Sequence, residues 1–204
     1  MIPIQQRPEP SNFRTNIRDP GTQFLAQVPN PSKRQWGEND LWRNCFNDLY
    51  REYHGICAYI GMWTPHHDAT VDHYLPKSIY PQRAYDWENY RLSCEKANNN
   101  KSDLDILDPF YIQSDWFILD FPSLQVKPNQ NISLIDFNLI KCTIDILRLN
   151  GEDFIQERLG WVMEYIRGLD FTYLERFAPF IAYELRRQKL ENIITGMMQT
   201  SHST

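Results

Sequence analysis

The chain has 204 residues, of which 42% are hydrophobic, 14% aromatic and 23% charged, and its formal net charge at pH 7 is -5. This length and apolar content can bury a sizeable core, which excludes wholesale disorder, and the negative charge excludes a protein that coats DNA through bulk positive charge. A nucleic-acid enzyme is still possible, because a local basic cleft and a divalent cation can hold a phosphate on an acidic protein.

The N-terminal residues and the cysteines indicate where the protein works. The opening stretch MIPIQQRPEP lacks the apolar segment of a signal peptide, and no run of residues is long and apolar enough to span a bilayer. Cys45, Cys57, Cys94 and Cys142 are widely scattered, as expected for reduced thiols rather than for a disulfide framework. We therefore predict a cytoplasmic protein with no membrane partner.

Residues 1–36 contain six prolines and few periodic apolar positions. Proline fixes φ and removes a backbone donor, so we predict an extended arm without regular structure. Phe13, Phe24 and Leu25 give this arm side chains to bury. They favour an arm laid across the domain over a loose one.

Residues 37–110 are predicted to form the core of the protein. From residue 39 to Gly55, apolar side chains recur every three or four positions, which predicts an amphipathic helix. Short strands are predicted at residues 56–60, Ala69–His73 and Tyr90–Cys94. A helix should follow from about residue 95 and carry Asn98 and Lys101.

Residues 111–204 are predicted to form a mainly helical extension packed on the core. A short β segment is predicted near residues 116–121, and a helix capped by Asn150 should run to about residue 167. A further helix is predicted from about residue 172 to 194, with an interruption near Pro179. Its predicted inner face consists of Leu185, Leu190 and Ile193, and residues 196–204 are predicted to be frayed.

Acid, imidazole and amide side chains fall at the ends of the short elements of the predicted core. Asp72 and His73 end one strand, Asn89 precedes the next, and Asn98 lies on the following helix. Cutting a phosphodiester requires an activated water, stabilisation of phosphate charge and help for the leaving oxygen, which one divalent cation and one imidazole can supply. Carboxylate and amide oxygens suit Mg²⁺ or Mn²⁺, and Asn89 could orient the imidazole.

Four cations make the same region locally basic within an acidic chain, as phosphate binding requires: Lys77, Arg83, Arg91 and Lys101. Each feature alone has an ordinary explanation. An Asp-His pair is usually a solvated turn, a run of asparagines is more often a loop, and single cations usually lie on the surface. The functional hypothesis depends on their order and spacing taken together.

That combination resembles the HNH endonucleases of the His-Me finger, or ββα-metal, superfamily. The resemblance covers residues 71–78 (VDHYLPKS), 85–92 (YDWENYRL) and 94–98 with Lys101, and more loosely the flanks, which look like bacterial HNH proteins of phage-defence loci. It implies an α+β protein whose ββα-metal core is embedded between flanking α-helices. It also implies a metal-dependent endonuclease that hydrolyses DNA.

The resemblance assigns a role to each site residue. His73 would be the general base, Asn89 would orient it, and Asp72 and Asn98 would hold one divalent cation, Mg²⁺ or Mn²⁺. Lys101 would support either the phosphate or the local fold.

The chain departs from many HNH domains where these hold a structural zinc with two Cys-x-x-Cys pairs. Here the corresponding residues read CAYI at 57–60 and CEKA at 94–97, so one cysteine of each pair is missing and a Cys₄ site cannot form. Three histidines could in principle replace the missing ligands: His54, His66 and His67. We expect no structural zinc, and predict instead that apolar packing of Ile60 and Ala97 takes over its role and that Cys57 and Cys94 are buried thiols.

Two other functions are compatible with the sequence. A degenerate nuclease could serve as a nucleic-acid-binding or assembly module. A catalytically weak effector could act only with a partner, such as an ATPase or another subunit of a defence system, because an acidic protein with extra helices has room for a docking surface.

Overall fold

The computed structural model describes residues 1–191 and has an α+β architecture. The α-helices are α1 (Asp19–Gln27), α2 (Lys33–Glu38), α3 (Phe46–Glu52), α4 (Glu95–Lys101), α5 (Leu134–Leu147), α6 (Glu152–Ile166), α7 (Phe171–Phe177) and α8 (Pro179–Arg187). The strands are β1 (Ala69–His73), β2 (Tyr90–Cys94), β3 (Phe117–Asp120) and β4 (Gln125–Pro128). They form two antiparallel pairs, β1 with β2 and β3 with β4.

The pair β1 and β2, followed directly by α4, is the part of the fold that carries the candidate site residues. Ala69 lies opposite Cys94 and His73 opposite Tyr90. Every residue of β2 is buried, as are the last three of β1, so both faces of this hairpin are covered by other elements. The two predicted strands and the helix after them are confirmed.

Two apolar cores lie on either side of this hairpin. One combines the turn at residues 57–62 and Ala97 of α4 with β3, β4 and the C-terminal helices α5 to α8. The other combines the N-terminal segment and α3 with Val71 and Leu92 of the hairpin. The hairpin and α4 are therefore held from both sides by apolar packing, which contributes roughly 25 cal/mol for each Å² of apolar surface buried.

The N-terminal arm differs from its prediction. It is not irregular, because a π-helix at Arg14–Arg18 leads into α1, and α2 follows with Ser32 and Gln35 bonded reciprocally at its start. Pro20 lies just after this π-helical turn, a local adjustment of the kind found where a helix accommodates a disturbed hydrogen-bond pattern. The arm does lie across the domain as predicted, since the Phe13 ring is buried against Trp87 at 5.6 Å.

Two predictions between residues 39 and 60 also need correction. The predicted long helix is instead a 3₁₀ segment, Leu41–Cys45, followed by the shorter α3. Residues 56–60 do not form a strand. Only Ile56 makes a bridge, to Trp63, and Gly61 turns the chain with a φ of +66° that favours glycine.

Helix α6 begins and ends close to its predicted positions, with a different cap, whereas α8 ends at Arg187, earlier than the predicted end near residue 194. Asn150 does not cap α6, because its side chain instead exchanges hydrogen bonds of 2.7 and 3.0 Å with the backbone of Val126 in β4. The break near Pro179 separates α7 from α8, and Leu185 is fully buried. Ile193, the predicted helix end at residue 194 and the predicted frayed residues 196–204 lie outside the described residues.

In residues 1–191 we find no helix with both the length and the apolar character needed to cross a membrane. The helix α5, which lies in the extension predicted to be mainly helical, packs Ile140, Ile144 and Leu147 into the C-terminal core. The divisions of the chain at residues 36 and 110 stay predictions.

Candidate active site

His73 is the last residue of β1, and its imidazole has a fixed protonation pattern. Its Nε2 atom lies 3.0 Å from the carbonyl oxygen of Ala84. Since a carbonyl can only accept, Nε2 carries the proton and Nδ1 keeps its lone pair. Burial, together with the nearby Lys77, lowers the pKa of His73 to about 3, so the ring is neutral at neutral pH. Nδ1 can therefore accept a proton.

Aromatic rings hold the imidazole in place. The ring of Trp42 meets His73 edge-on, with centroids 4.8 Å apart, and Tyr90 does so at 5.3 Å. The Tyr90 hydroxyl also donates to the carbonyl of Ala84, at 2.8 Å. The imidazole and its acceptor are thus fixed by the same neighbours.

Asn89 acts on the imidazole indirectly. Its side chain is 1% exposed, accepts from the Leu75 backbone N–H at 2.7 Å, and donates at 3.0 Å to the carbonyls of both Leu75 and Arg83. These bonds tie together the two ends of the loop at residues 75–83, and Ala84 follows that loop directly. Asn89 therefore positions the carbonyl that anchors His73, which is an indirect way to orient the imidazole.

Asp72 precedes His73 and is held by two donors. The Tyr59 hydroxyl donates to Oδ2, and the Lys101 ammonium donates to Oδ1 at 3.2 Å and to the His73 carbonyl at 2.8 Å. Burial raises the pKa of Asp72, while Lys101 and Tyr59 act in the opposite direction. A carboxylate has about four acceptor positions, so each oxygen of Asp72 retains a lone pair for a further ligand.

A polar cavity of about 350 Å³ brings these groups together. Although successive strand residues point to opposite sides, Asp72 and His73 both line it, because His73 ends the strand. Asn98, in the middle of α4, and Lys77 line the same cavity. Within residues 1–191 the side chain of Asn98 makes no hydrogen bond, so its amide oxygen is open to a ligand.

The cations expected to contact phosphate divide into two groups. Lys77 lines the cavity and lies 5.0 Å from the centre of the Trp42 ring, and burial lowers the pKa of its ammonium. Arg83 lies partly exposed outside the cavity wall and is paired with Asp86 at 2.7 Å. Lys77 is thus the predicted phosphate ligand that the fold places beside His73.

Arg91 and Lys101 are both buried in ion pairs, and their predicted contact with substrate stays a prediction. Arg91 is 2% exposed, binds Asp108 through two hydrogen bonds of 2.9 and 2.6 Å, and stacks over Phe110 at 3.5 Å. Lys101 is fully buried against Asp72. Its buried contact with Asp72 is the arrangement expected of a lysine that supports the local fold.

Cys57 and Cys94, one from each of the two incomplete Cys-x-x-Cys pairs, lie side by side. The Cys94 backbone N–H donates to the Cys57 sulfur at 3.2 Å, and both are buried free thiols, as predicted. Ile60 and Ala97 are buried in the same apolar core. The three candidate replacement ligands, His54, His66 and His67, are all exposed at the surface. Among the described residues, no three His, Cys, Asp or Glu side chains converge to hold a metal ion.

Three contributors to the site were missed from the sequence: Tyr59, Ala84 and Trp42. Tyr59 follows Cys57 in the region matched to the HNH pattern, and its buried hydroxyl needed a partner. Trp42 has the spacing of a core residue, which concealed its contact with His73. Ala84 contributes only its carbonyl, which leaves no signal in its side chain.

No protein-family model matches the chain, and a search of curated proteins found no significant match.

Proposed function

We propose that this chain is a metal-dependent HNH endonuclease that hydrolyses DNA phosphodiester bonds, with β1, β2 and α4 as its ββα-metal core and His73 as its general base. One observation carries the proposal. A neutral imidazole, anchored through Nε2 and without a partner at Nδ1 among residues 1–191, shares a polar cavity with the side chains of Asp72 and Asn98. A general base must be unprotonated and oriented before it can act, and His73 meets both conditions.

The residues of the chain have distinct tasks in this proposal. His73 takes a proton from the attacking water at Nδ1, and the Ala84 carbonyl, already bonded to Nε2, stabilises the positive charge that develops on the ring. Asn89 and Trp42 keep the ring oriented. Lys77 lies where it can offset the negative charge of a phosphate entering the cavity.

The donor set of the cavity fits a small, hard cation. Asp72 supplies a carboxylate with unused lone pairs, and Asn98 supplies an amide oxygen that has no partner within residues 1–191. One carboxylate, one neutral oxygen and several waters are a normal environment for Mg²⁺ or Mn²⁺. When bound, such a cation lowers the pKa of water and stabilises phosphate charge, which suits an imidazole of low basicity.

Lys101 and Tyr59 support this role of Asp72. A buried carboxylate without partners becomes protonated, and a protonated acid is a poor metal ligand. The ammonium and the hydroxyl favour the ionised form of Asp72 and hold its orientation.

Plasmid cleavage tests the proposal. Wild-type protein should cut in Mg²⁺ or Mn²⁺ and stop cutting in EDTA, whereas His73→Ala should fold and lose activity. His54→Asn is the matched control, because His54 is exposed and has a positive φ that asparagine tolerates. Full activity of His73→Ala, or cleavage that persists in EDTA, would contradict the proposal. The bacterial defence context and a partner such as an ATPase stay predictions.

A further inference from the structure

A second recess lies beside the candidate catalytic cavity. It has a volume of about 390 Å³ and is lined by Trp42, Arg43, Phe46, His67, residues 69–71 of β1 and Glu95 of α4. Trp42, Arg43, Thr70 and Val71 line both spaces. Because the two share these walls, a chain-like ligand lying along β1 reaches from His73 into this recess, which we call the aromatic recess.

The aromatic rings of this recess are half-buried and held by other rings. Trp42 contacts Trp36 at 6.1 Å, in addition to its edge contact with His73. Phe46 contacts Tyr50 at 6.1 Å and His66 at 4.8 Å. Side chains that are already fixed lose little conformational entropy when a ligand binds to them. The recess is therefore a preorganised aromatic surface.

Two cations lie next to this surface. The Arg43 side chain is 77% exposed, is paired with Asp40 at 2.6 Å and lines both spaces, and Lys77 lies against Trp42 on the catalytic side. Cations beside aromatic rings suit a nucleic-acid strand, in which phosphates alternate with bases.

The charge of the molecule points to stacking rather than to bulk electrostatic attraction. The net charge is -5, and the buried ion pairs of Arg91 and Lys101 remove both cations from the substrate surface. A protein that grips duplex DNA does so mainly by neutralising phosphates with exposed cations. Here few such cations line the cavity, so base contacts must supply a larger share of the affinity.

We propose that the aromatic recess binds the base of an unpaired nucleotide next to the scissile phosphate, with Trp42 and Phe46 as the stacking surface and Arg43 at the neighbouring phosphate. Bases in a duplex are already paired and stacked, so only a single strand or a locally unpaired nucleotide can present one. The substrate class is therefore single-stranded or locally unpaired DNA or RNA. The cleavage of that substrate rests on the proposed function, whereas its binding does not.

Equilibrium binding tests this inference without requiring cleavage. The full chain carrying His73→Ala is titrated into fluorescently labelled oligonucleotides of about 20 nucleotides, long enough to cover one binding groove. The probes are single-stranded DNA, the same sequence as RNA, and the DNA duplex, and the readout is fluorescence anisotropy. We expect tighter binding to at least one single strand than to the duplex, and the DNA and RNA arms identify which strand it is.

Substitutions in the recess identify the binding surface. Phe46→Ala should weaken single-strand binding at least about fivefold, the loss expected for one stacked base, and Phe46→Tyr should keep the affinity. Tyr111→Ala is the control, because Tyr111 is 80% exposed and lines neither space, and it should bind like the parent. Arg43→Ala, at an exposed position, should also weaken binding and remains informative if Phe46→Ala reduces stability.

The outcomes separate this inference from the proposed function. The inference would be overturned by duplex binding as tight as or tighter than single-strand binding, or by no binding to any probe. It would also be overturned if Phe46→Ala and Arg43→Ala both bound like Tyr111→Ala. Each of these outcomes counts even if the wild type cuts duplex plasmid. Single-strand binding that depends on Phe46, in a wild-type protein that cuts nothing in Mg²⁺ or Mn²⁺, would uphold the inference and overturn the proposed function.

Discussion

Replacing Asn89 with alanine tests how the imidazole is oriented. The change deletes three hydrogen bonds, those to the Leu75 N–H, the Leu75 carbonyl and the Arg83 carbonyl, from a side chain that is 1% exposed. At a net value of about 1 kcal/mol for each bond, we expect the free energy of unfolding to fall by about 3 kcal/mol. The loop that presents Ala84 then loses its fixed ends. A misplaced general base, here His73, should lower the cleavage rate about 100-fold.

Asn100→Ala is the matched control for this experiment. Asn100 is also a partly buried asparagine, on α4, but its side chain makes a single hydrogen bond, to the Leu147 carbonyl at 2.9 Å. We expect it to lose about 1 kcal/mol of stability and no activity. Urea unfolding and single-turnover cleavage, both measured below the melting temperature of the weaker variant, give the two quantities. An Asn89→Ala variant as active as Asn100→Ala would refute the proposed role of the loop.

Three further predictions concern the buried charges. Lys101→Met leaves the Asp72 carboxylate buried and unpaired, so urea unfolding should show a loss of about 3–5 kcal/mol, and an unchanged midpoint would contradict the buried pair. Tyr59→Phe removes one bond to the same carboxylate and should cost about 1.5–3 kcal/mol while weakening Mn²⁺ binding in calorimetry; unaltered stability would count against that bond. Burial raises the pKa of Glu157 to about 7 from an ordinary 4.5, so between these values the folded chain keeps a proton that the unfolded chain releases, and stability falls as pH rises. Glu157→Gln should therefore gain about 3 kcal/mol over the wild type as pH rises from 4.5 to 7 and no more above pH 7; a constant difference across this range would disprove the shift.

The hairpin and α4 could be predicted because their signals are local. Thr70 and Val71 form a β-branched pair just before Asp72 and His73, and Asn89 and Asn98 lie within a few residues of the next strand, so residues within one element or one turn determine the pattern. The prolines of the N-terminal arm predict irregular structure, whereas the chain is helical through Pro20. Pro20 lies just after the π-helical turn at Arg14–Arg18, and that segment gains its stability from packing Phe13 and Ile17 against the hairpin.

The roles of the cations could not be predicted because they depend on distant partners. Lys101 meets Asp72 across 29 residues of sequence, and Arg91 meets Asp108 across 17. Nothing local distinguishes a lysine that will be buried from one that will lie on the surface, and the usual preference of lysine is for the surface. Tyr59 was hidden for the same reason, since its partner Asp72 lies on another element.

The cleavage rate of His73→Ala tests the central claim most directly. The rate is measured under single-turnover conditions at saturating Mn²⁺, with Mn²⁺ binding determined on the same sample. If His73 is the general base, the variant should bind Mn²⁺ like the wild type and cut at least about 100-fold more slowly. A variant that binds the metal and cuts at the wild-type rate would contradict the account.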